Sequence, residues 1–194
     1  DSVQCLTFDD LYGLVGPKSE GVKTWAEATA KGATSKLPDA PLEIFAPGTE
    51  SGTYDSFYEL AIKDIADERG VPEGAQIRPD YGGLANDNEI ISGLQSVDSS
   101  FGWVGFAFAE EATGVREIEV DGGEGCVAPS AETVADGTYP LARPLFIYVN
   151  NEKLADNAAL SDFVDFYLSD EGMAAVPEVG YVPLPDAAYK LAFQ

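Results

Sequence analysis

A strand, a glycine-containing turn and a long amphipathic helix follow one another between residues 42 and 68, and this unit constrains the fold more than any other part of the sequence. Residues 42–45 are typical of a short strand that leads into a turn. Behind the turn, apolar residues recur at helical spacing while charged residues take the opposite face. The apolar set is Tyr54, Phe57, Tyr58, Ala61, Ile62 and Ile65. The sequence therefore predicts a helix packed on a core directly after the turn, closed by Gly70 and Pro72.

The rest of the chain alternates helical and extended patterns. A capping box at Thr7 and Asp10 predicts a short opening helix that ends at Gly16. Strands are predicted at 101–108, where small and large residues alternate, and at 145–149, which is β-branched and aromatic. Further helices are predicted at 25–30, after an Asn86 cap, and on the stripe Leu160, Phe163, Val164, Tyr167 and Leu168. This order predicts an α/β layered fold.

The charge balance excludes several classes of partner. The chain has 34 acidic and 11 basic residues, a net charge of −23, which repels nucleic-acid phosphates and anionic bilayers. The longest nearly apolar run, at 101–109, is about half the roughly twenty residues that a membrane-spanning helix needs. We therefore expect no nucleic-acid partner and no membrane span. The excess of acid suggests a salty habitat.

The residues that are absent or rare exclude several mechanisms. With no histidine, the chain has no Ser-His-Asp or Cys-His nucleophile and no histidine zinc site. We expect no metal and no cofactor. Cys5 and Cys126 are the only cysteines, and they form either one disulfide or two buried thiols. We predict the disulfide.

The turn at residues 48–53 is a candidate anion site. It follows a strand and begins a helix, where free backbone N–H groups and the positive end of the helix dipole attract anions. Ser51 and Thr53 add hydroxyl donors, and Gly52 lets a ligand approach the backbone. The spacing is not that of a nucleotide-binding P-loop, because no lysine precedes the Ser or Thr. An ordinary capped helix start explains the same residues equally well.

Residues 45–57, which read FAPGTESGTYDSF, resemble the signature of the phosphate-binding proteins of ABC-type phosphate importers, the PstS family. Three other stretches resemble that family in the same order: RPDY at 78–81 followed by NDN at 86–88, FGWVGFAF at 101–108, and residues 129–149. The resemblance covers most of the chain. It implies a type II periplasmic-binding-protein fold, a mixed sheet flanked by helices, in which two lobes hold inorganic phosphate between them.

The resemblance also implies a domain organisation. Residues 1–142 correspond to the second, ligand-binding lobe, and residues 143–194 to a returning strand and C-terminal helix that belong to the first lobe or pack toward it. The family's N-terminal segment of the first lobe has no counterpart before Asp1, so we expect the chain to be a fragment. The implied protein is a monomer, periplasmic or extracellular and associated with the cell envelope, that delivers phosphate to an ABC permease.

Residue by residue, Ser51, Gly52 and Thr53 match the family's phosphate-contacting turn. Other branches of the family carry an arginine at the position of Pro47, so the cation must come from elsewhere. Arg78 and Arg143 are the candidates because they lie within matching motifs, and we rank Arg78 first.

Selection of phosphate over sulfate needs an acceptor for the proton of hydrogen phosphate. Glu50 and Asp87 are candidate acceptors, but the family's own acceptor lies in the segment without a counterpart, so we leave that role unassigned. Two alternatives from other classes stay open: an interaction or signalling module built on a binding-protein lobe, and a glycosidase with a carboxylate pair, which needs no histidine. We expect a binding protein and no enzyme activity.

Overall fold

The computed structural model describes residues 3–184 as a mixed α/β fold with two small sheets. Strand β1 (Cys5–Thr7) pairs in parallel with β4 (Glu119–Asp121), which pairs antiparallel with β5 (Cys126–Val127). Strands β2 (Ile44–Phe45) and β3 (Phe101–Gly102) form a parallel pair. The α/β class, with mixed pairing and flanking helices, is confirmed.

Helical segments separate and follow these strands along the chain. They are α1 (Phe8–Val15), a 3-10 helix (Ala26–Lys31), α2 (Gly52–Phe57), a π turn (Tyr58–Ile62), α3 (Lys63–Glu68), α4 (Asp87–Ser96), α5 (Phe106–Glu111), α6 (Ala131–Ala135), α7 (Asn151–Asp156), α8 (Ala158–Tyr167) and α9 (Asp170–Glu178). Elements α2, the π turn and α3 follow without a break, so the amphipathic helix predicted behind the turn is confirmed. None of the helices in residues 3–184 combines the length and the hydrophobicity that crossing a bilayer requires.

Local capping chemistry begins α1 as predicted. The Thr7 hydroxyl accepts a hydrogen bond from the Asp10 backbone N–H, and the Asp10 carboxylate accepts one from the Thr7 N–H. Asp10 is fully buried and also accepts from the N–H groups of Thr34 and Ser35 and from the Ser35 hydroxyl. These hydrogen bonds lower its pKa against the opposing effect of burial, which is larger than any one of them. The carboxylate thus joins the start of α1 to the loop at 33–35.

The apolar core lies in the first three quarters of the chain. In the described part, every buried apolar side chain but one falls between residues 6 and 120, and the exception is Val164. Residues 143–184 instead expose large apolar side chains, among them Leu145, Phe146, Tyr148 and Phe163, with exposed fractions of 60% to 93%. This C-terminal segment contributes almost nothing to the core that the structure describes.

Two predicted strands are not formed as expected. Of residues 101–108, only Phe101–Gly102 is strand, and α5 begins at Phe106 because Gly105 takes an extended conformation that starts a new helix. The run at 145–149 has no regular secondary structure and pairs with no strand of the described residues. A strand needs a neighbour to satisfy its backbone groups, and none of the described strands reaches this segment.

The predicted disulfide is confirmed. Cys5 and Cys126 are bonded, their Cα atoms are 6.0 Å apart, and 121 positions separate them in the sequence. The bond joins β1 and β5, the two outer strands of the three-stranded sheet, which lie on either side of β4. Both ends of the 6–120 region, which holds the core, are thereby fastened together.

Candidate functional site

The turn at 48–53 presents an open helix start to solvent. Ser51 is the N-cap of α2, and its hydroxyl accepts a hydrogen bond of 3.2 Å from the Thr53 N–H. The Ser51 N–H donates to the Gly48 carbonyl at 3.1 Å, which closes the turn. Gly52 is exposed, and apart from its chain neighbours and the backbone of its own helix no atom lies within 4 Å of the position that a Cβ would occupy there. The site therefore offers backbone and hydroxyl donors around an unobstructed glycine.

The helix behind this turn is long enough to direct a dipole at it. The segment from Gly52 to Glu68 is continuous, so its peptide dipoles add to a partial positive charge at the N-terminal end. Tyr54 and Phe57 are buried on its inner face, which keeps the axis directed at the turn. The sequence pattern identified this arrangement correctly.

Arg143 is the cationic side chain that reaches the turn. Its Nη2 atom lies 3.5 Å from the Gly52 carbonyl oxygen, and the side chain is exposed. An exposed guanidinium keeps its remaining N–H groups available for a ligand. Arg143 therefore adds a positive charge beside the hydroxyl and backbone donors.

Arg78 has a different environment. It is buried, its Nε and Nη2 atoms form a two-point ion pair with Asp80, and it donates to the carbonyl oxygens of Leu14 at 3.2 Å and Val22 at 2.9 Å. None of the hydrogen bonds in the described part joins Arg78 to the turn. The geometry favours Arg143 over Arg78 as the cation, the reverse of the ranking from sequence.

The two candidate proton acceptors lie in different places. Glu50 is exposed and folds back over Gly48, with its carboxylate 2.5 Å from where a Cβ of that glycine would be. Asp87 is the first residue of α4, whose N-cap is Asn86. Among residues 3–184, no hydrogen bond connects the Asp87 carboxylate with the turn. Of the two candidates, Glu50 is therefore the one that lies beside the Ser51 and Thr53 donors of the turn.

An aromatic cluster under the turn was missed by sequence reasoning. Trp103 stacks on Phe57 with a centroid distance of 4.3 Å and meets the Tyr81 ring edge-on at 5.8 Å. The Tyr81 hydroxyl donates to the Pro47 carbonyl at 2.8 Å, and burial, with a smaller contribution from Tyr54 and Glu50, raises the pKa of this phenol. Tyr81 and Trp103 both lie in stretches that resemble the PstS family, at 78–81 and 101–108, and this feature of the sequence could have indicated them.

One group of potential metal ligands occurs in the described part: the Cys5 and Cys126 sulfur atoms with the Glu119 carboxylate. Because the two sulfurs form a disulfide, they provide no thiolate for a metal. This group is a structural crosslink.

Comparison with known proteins assigns the chain to a family. The model of the PBP superfamily domain matches residues 10–171. The chain belongs to the PBP superfamily. Protein SphX from Synechocystis is 38% identical over 194 residues, which cover 98% of this chain and 53% of the relative. The phosphate-binding protein PstS from Staphylococcus aureus is 34% identical over 184 residues, 93% of this chain and 50% of the relative.

A solved structure agrees with this PBP superfamily assignment. A possible phosphate binding protein from Planctomyces limnophilus superposes with a TM-score of 0.77 at 30% identity, covering 97% of this chain and 62% of that one. The chain thus spans about half the length of the curated relatives it matches. These relatives contain further sequence outside the matched part.

Proposed function

We propose that this PBP superfamily chain binds inorganic phosphate at the turn formed by Ser51, Gly52 and Thr53. The observation that carries the proposal is the joint placement of an open helix N-terminus, two hydroxyl groups and the Arg143 guanidinium around one glycine. Phosphate oxygens accept hydrogen bonds from all three kinds of donor. The names of the relatives support the same ligand.

The donors have distinct roles in this proposal. The N–H group of the exposed Gly52, at the start of α2, binds a phosphate oxygen directly. The hydroxyls of Ser51 and Thr53 donate to further oxygens, and Arg143 neutralises part of the ligand's charge. Glu50 is the proposed acceptor for the proton of hydrogen phosphate, because its carboxylate lies over Gly48 at the same turn.

The strongly negative net charge does not prevent anion binding at this turn. Charge-assisted hydrogen bonds act at contact distance, whereas distant carboxylates are screened over about 8 to 10 Å at physiological salt. The local donors therefore dominate once the ligand is in contact. Association is slower at low salt, where the long-range repulsion is strongest.

We further propose that residues 1–142 form the ligand-binding lobe and that residues 143–194 pack toward a first lobe. The exposed apolar side chains of the C-terminal segment, and the absence of strand pairing at 145–149, support this division. Residues 185–194 lie outside the described residues. A second wall over the turn excludes water and supplies the donors for the other face of phosphate, so the 194-residue chain by itself binds weakly, with a dissociation constant of about 1 mM.

The proposal includes a place and a partner. A disulfide persists in oxidising surroundings, which supports a periplasmic or extracellular location associated with the cell envelope. There the protein would deliver phosphate to the permease of an ABC importer.

A paired substitution tests the binding site. Phosphate is titrated into the ¹⁵N-labelled chain at constant ionic strength, and the dissociation constant is compared for Ser51→Ala and Ser92→Ala. Ser92 donates to the Asn88 carbonyl within α4 and serves as the matched control. We expect Ser51→Ala to weaken phosphate binding about 5- to 10-fold and Ser92→Ala to leave it unchanged. Equal affinities of both variants and the wild type would refute the site.

A further inference from the structure

The backbone entering the anion turn is held by the segment at 81–84. The Tyr81 hydroxyl donates to the Pro47 carbonyl at 2.8 Å. The Leu84 N–H donates to the Ala46 carbonyl at 3.0 Å, and the Leu84 carbonyl accepts from the Gly48 N–H at 3.3 Å. These bonds fasten residues 46–48 on one side, immediately before the donors of the site.

Glycine makes this close approach feasible. A Cβ at position 83 would lie 2.7 Å from the Gly48 Cα atom, a distance that atoms without a bond between them do not adopt. The two backbones can therefore lie against each other only because Gly83 has no side chain. The backbone of residues 81–84 therefore packs directly against Gly48, the first residue of the turn.

The exit of the turn is held by the same group of residues. The Tyr81 ring meets Trp103 edge-on, and Trp103 stacks on Phe57 at an angle of 10° between the ring planes. Phe57 is the last residue of α2, the helix that Ser51 caps. Phe57 and Trp103 are 5% and 8% exposed, so close packing on both fixes their rings. The backbone before the turn bonds to Tyr81, and the helix after the turn packs on Trp103, which contacts Tyr81. Both sides of the turn therefore contact one aromatic cluster.

We infer that Tyr81 is a positioning residue that holds the Gly48–Thr53 turn in the geometry that receives the anion. The inference rests on the proposed phosphate function. A binding constellation needs its donors within about 0.5 Å of the productive geometry, and the Pro47 carbonyl is the point at which the side chain of Tyr81 fixes the backbone before the turn. A tyrosine phenol is protonated at neutral pH, and burial raises the pKa of Tyr81 further, so its hydroxyl is a donor. Tyr81 does not touch the ligand in this account.

The test is Tyr81→Phe, which removes only the hydroxyl and keeps the ring contacts with Trp103. Tyr139→Phe is the matched control, because Tyr139 is also half-buried against the core and precedes Pro140, whose side chain lies 2.9 Å from where a Cβ of Gly122 would be, next to β4 of the other sheet. In a ¹⁵N titration with inorganic phosphate, we expect Tyr81→Phe to weaken binding about 3- to 10-fold and Tyr139→Phe to leave it within twofold. Equal dissociation constants for the two variants would overturn the inference, even where Ser51→Ala weakens binding and so supports the site.

A double-mutant cycle separates positioning from general stability. If Tyr81 acts through the turn, its effect on the dissociation constant shrinks in the Ser51→Ala background, since the hydroxyl that it positions is gone. Additive effects of the two substitutions would show that Tyr81 acts independently of the turn and would overturn the inference.

A measurement without ligand keeps the inference testable if the wild type does not bind phosphate. Amide hydrogen exchange is followed at Ser51 and Thr53, whose N–H groups are hydrogen-bonded within the turn, and, as an internal reference, at Leu14 in the core helix α1. We expect Tyr81→Phe to speed exchange at the turn about 3- to 10-fold with no change at Leu14. Exchange that is unchanged at the turn, or faster at both places, would refute a positioning role, whereas absence of phosphate binding by the wild type would refute the proposed function alone.

Discussion

Replacing Arg78 by alanine is expected to destabilise the folded chain, because this side chain has a structural role and, within the described residues, no hydrogen bond to the proposed phosphate site. The guanidinium joins three separate parts of the fold: the end of α1 through the Leu14 carbonyl, the following loop through the Val22 carbonyl, and its own segment through Asp80. The Asp80 carboxylate in turn accepts from the Gly21 N–H at 2.8 Å. Loss of the side chain therefore leaves the Leu14 and Val22 carbonyls without the guanidinium donor, and the Asp80 carboxylate keeps the Gly21 N–H but loses both of its bonds from Arg78.

The size of the effect follows from burial. Removing one partner of a buried ion pair destabilises a protein by about 3 to 5 kcal/mol. The Arg78 side chain is 5% exposed but that of Asp80 is 29% exposed, so water partly solvates the carboxylate that remains. We expect a loss near the lower end, about 3 kcal/mol.

Urea unfolding followed by tryptophan fluorescence measures this loss, because Trp25 and Trp103 both lie in the core. Arg116→Ala is the control: Arg116 is exposed and donates to the Val3 carbonyl, and its removal should change the free energy of unfolding by less than about 0.5 kcal/mol. If Arg78→Ala stayed within 1 kcal/mol of the wild type while phosphate affinity disappeared, the structural role would be refuted and the sequence-based ranking restored.

The same ion pair predicts a dependence on pH. The side-chain hydrogen bonds that Arg78 donates to Asp80 are the largest cause of the lowered pKa of this carboxyl, which falls from 3.8 to about 2. Because the folded-state pKa is the lower one, the stabilisation is complete above pH 4 and is lost as the pH falls toward 2. For a carboxylate exposed to this extent we expect about 1 to 2 kcal/mol from this group. The unfolding free energy of Arg78→Ala should therefore fall less between pH 4 and pH 2 than that of the wild type, and parallel curves would contradict the assignment.

Three further outcomes are expected. Reduction of the Cys5–Cys126 bond should lower the free energy of unfolding by about 4 to 5 kcal/mol, because it releases a loop of 121 residues; an unchanged urea midpoint in dithiothreitol would contradict this. Raising sodium chloride from about 0.05 to 1 M should raise the melting temperature, since a net charge of −23 repels itself less when screened; a flat or falling curve would contradict it. Arg143→Ala should weaken phosphate binding about 3- to 10-fold, while Arg116→Ala should not, and equal affinities would remove Arg143 from the site.

The features predictable from sequence are those decided by neighbouring residues. The cap at Thr7 and Asp10, the Ser51 cap and the helix behind it depend on spacings of two to eleven positions, and local chemistry sets them. The disulfide was predictable because the sequence offers one pairing of two cysteines. In each of these cases the neighbouring residues, or the number of cysteines, are sufficient for the prediction.

The features that were missed depend on contacts distant in sequence. The partners of Arg78 include carbonyls 64 and 56 positions away, and backbone carbonyls have no signature in the residue type. The same holds for the Tyr81 contact with Pro47, 34 positions away. At 101–108, alternating small and large residues are compatible with a strand and with the short strand and helix that form, because periodicity over eight residues does not separate them.

Localisation of bound phosphate on the wild-type chain tests the central claim most directly. Phosphate is titrated into the ¹⁵N-labelled chain at constant ionic strength, and amide shifts are followed residue by residue. We expect saturable shifts that are largest at Ser51, Gly52 and Thr53, with a dissociation constant of about 1 mM. Shifts elsewhere, with residues 51–53 unmoved at about fifty times that concentration, would contradict the proposed site. Binding at the turn in the micromolar range would contradict the requirement for a second wall.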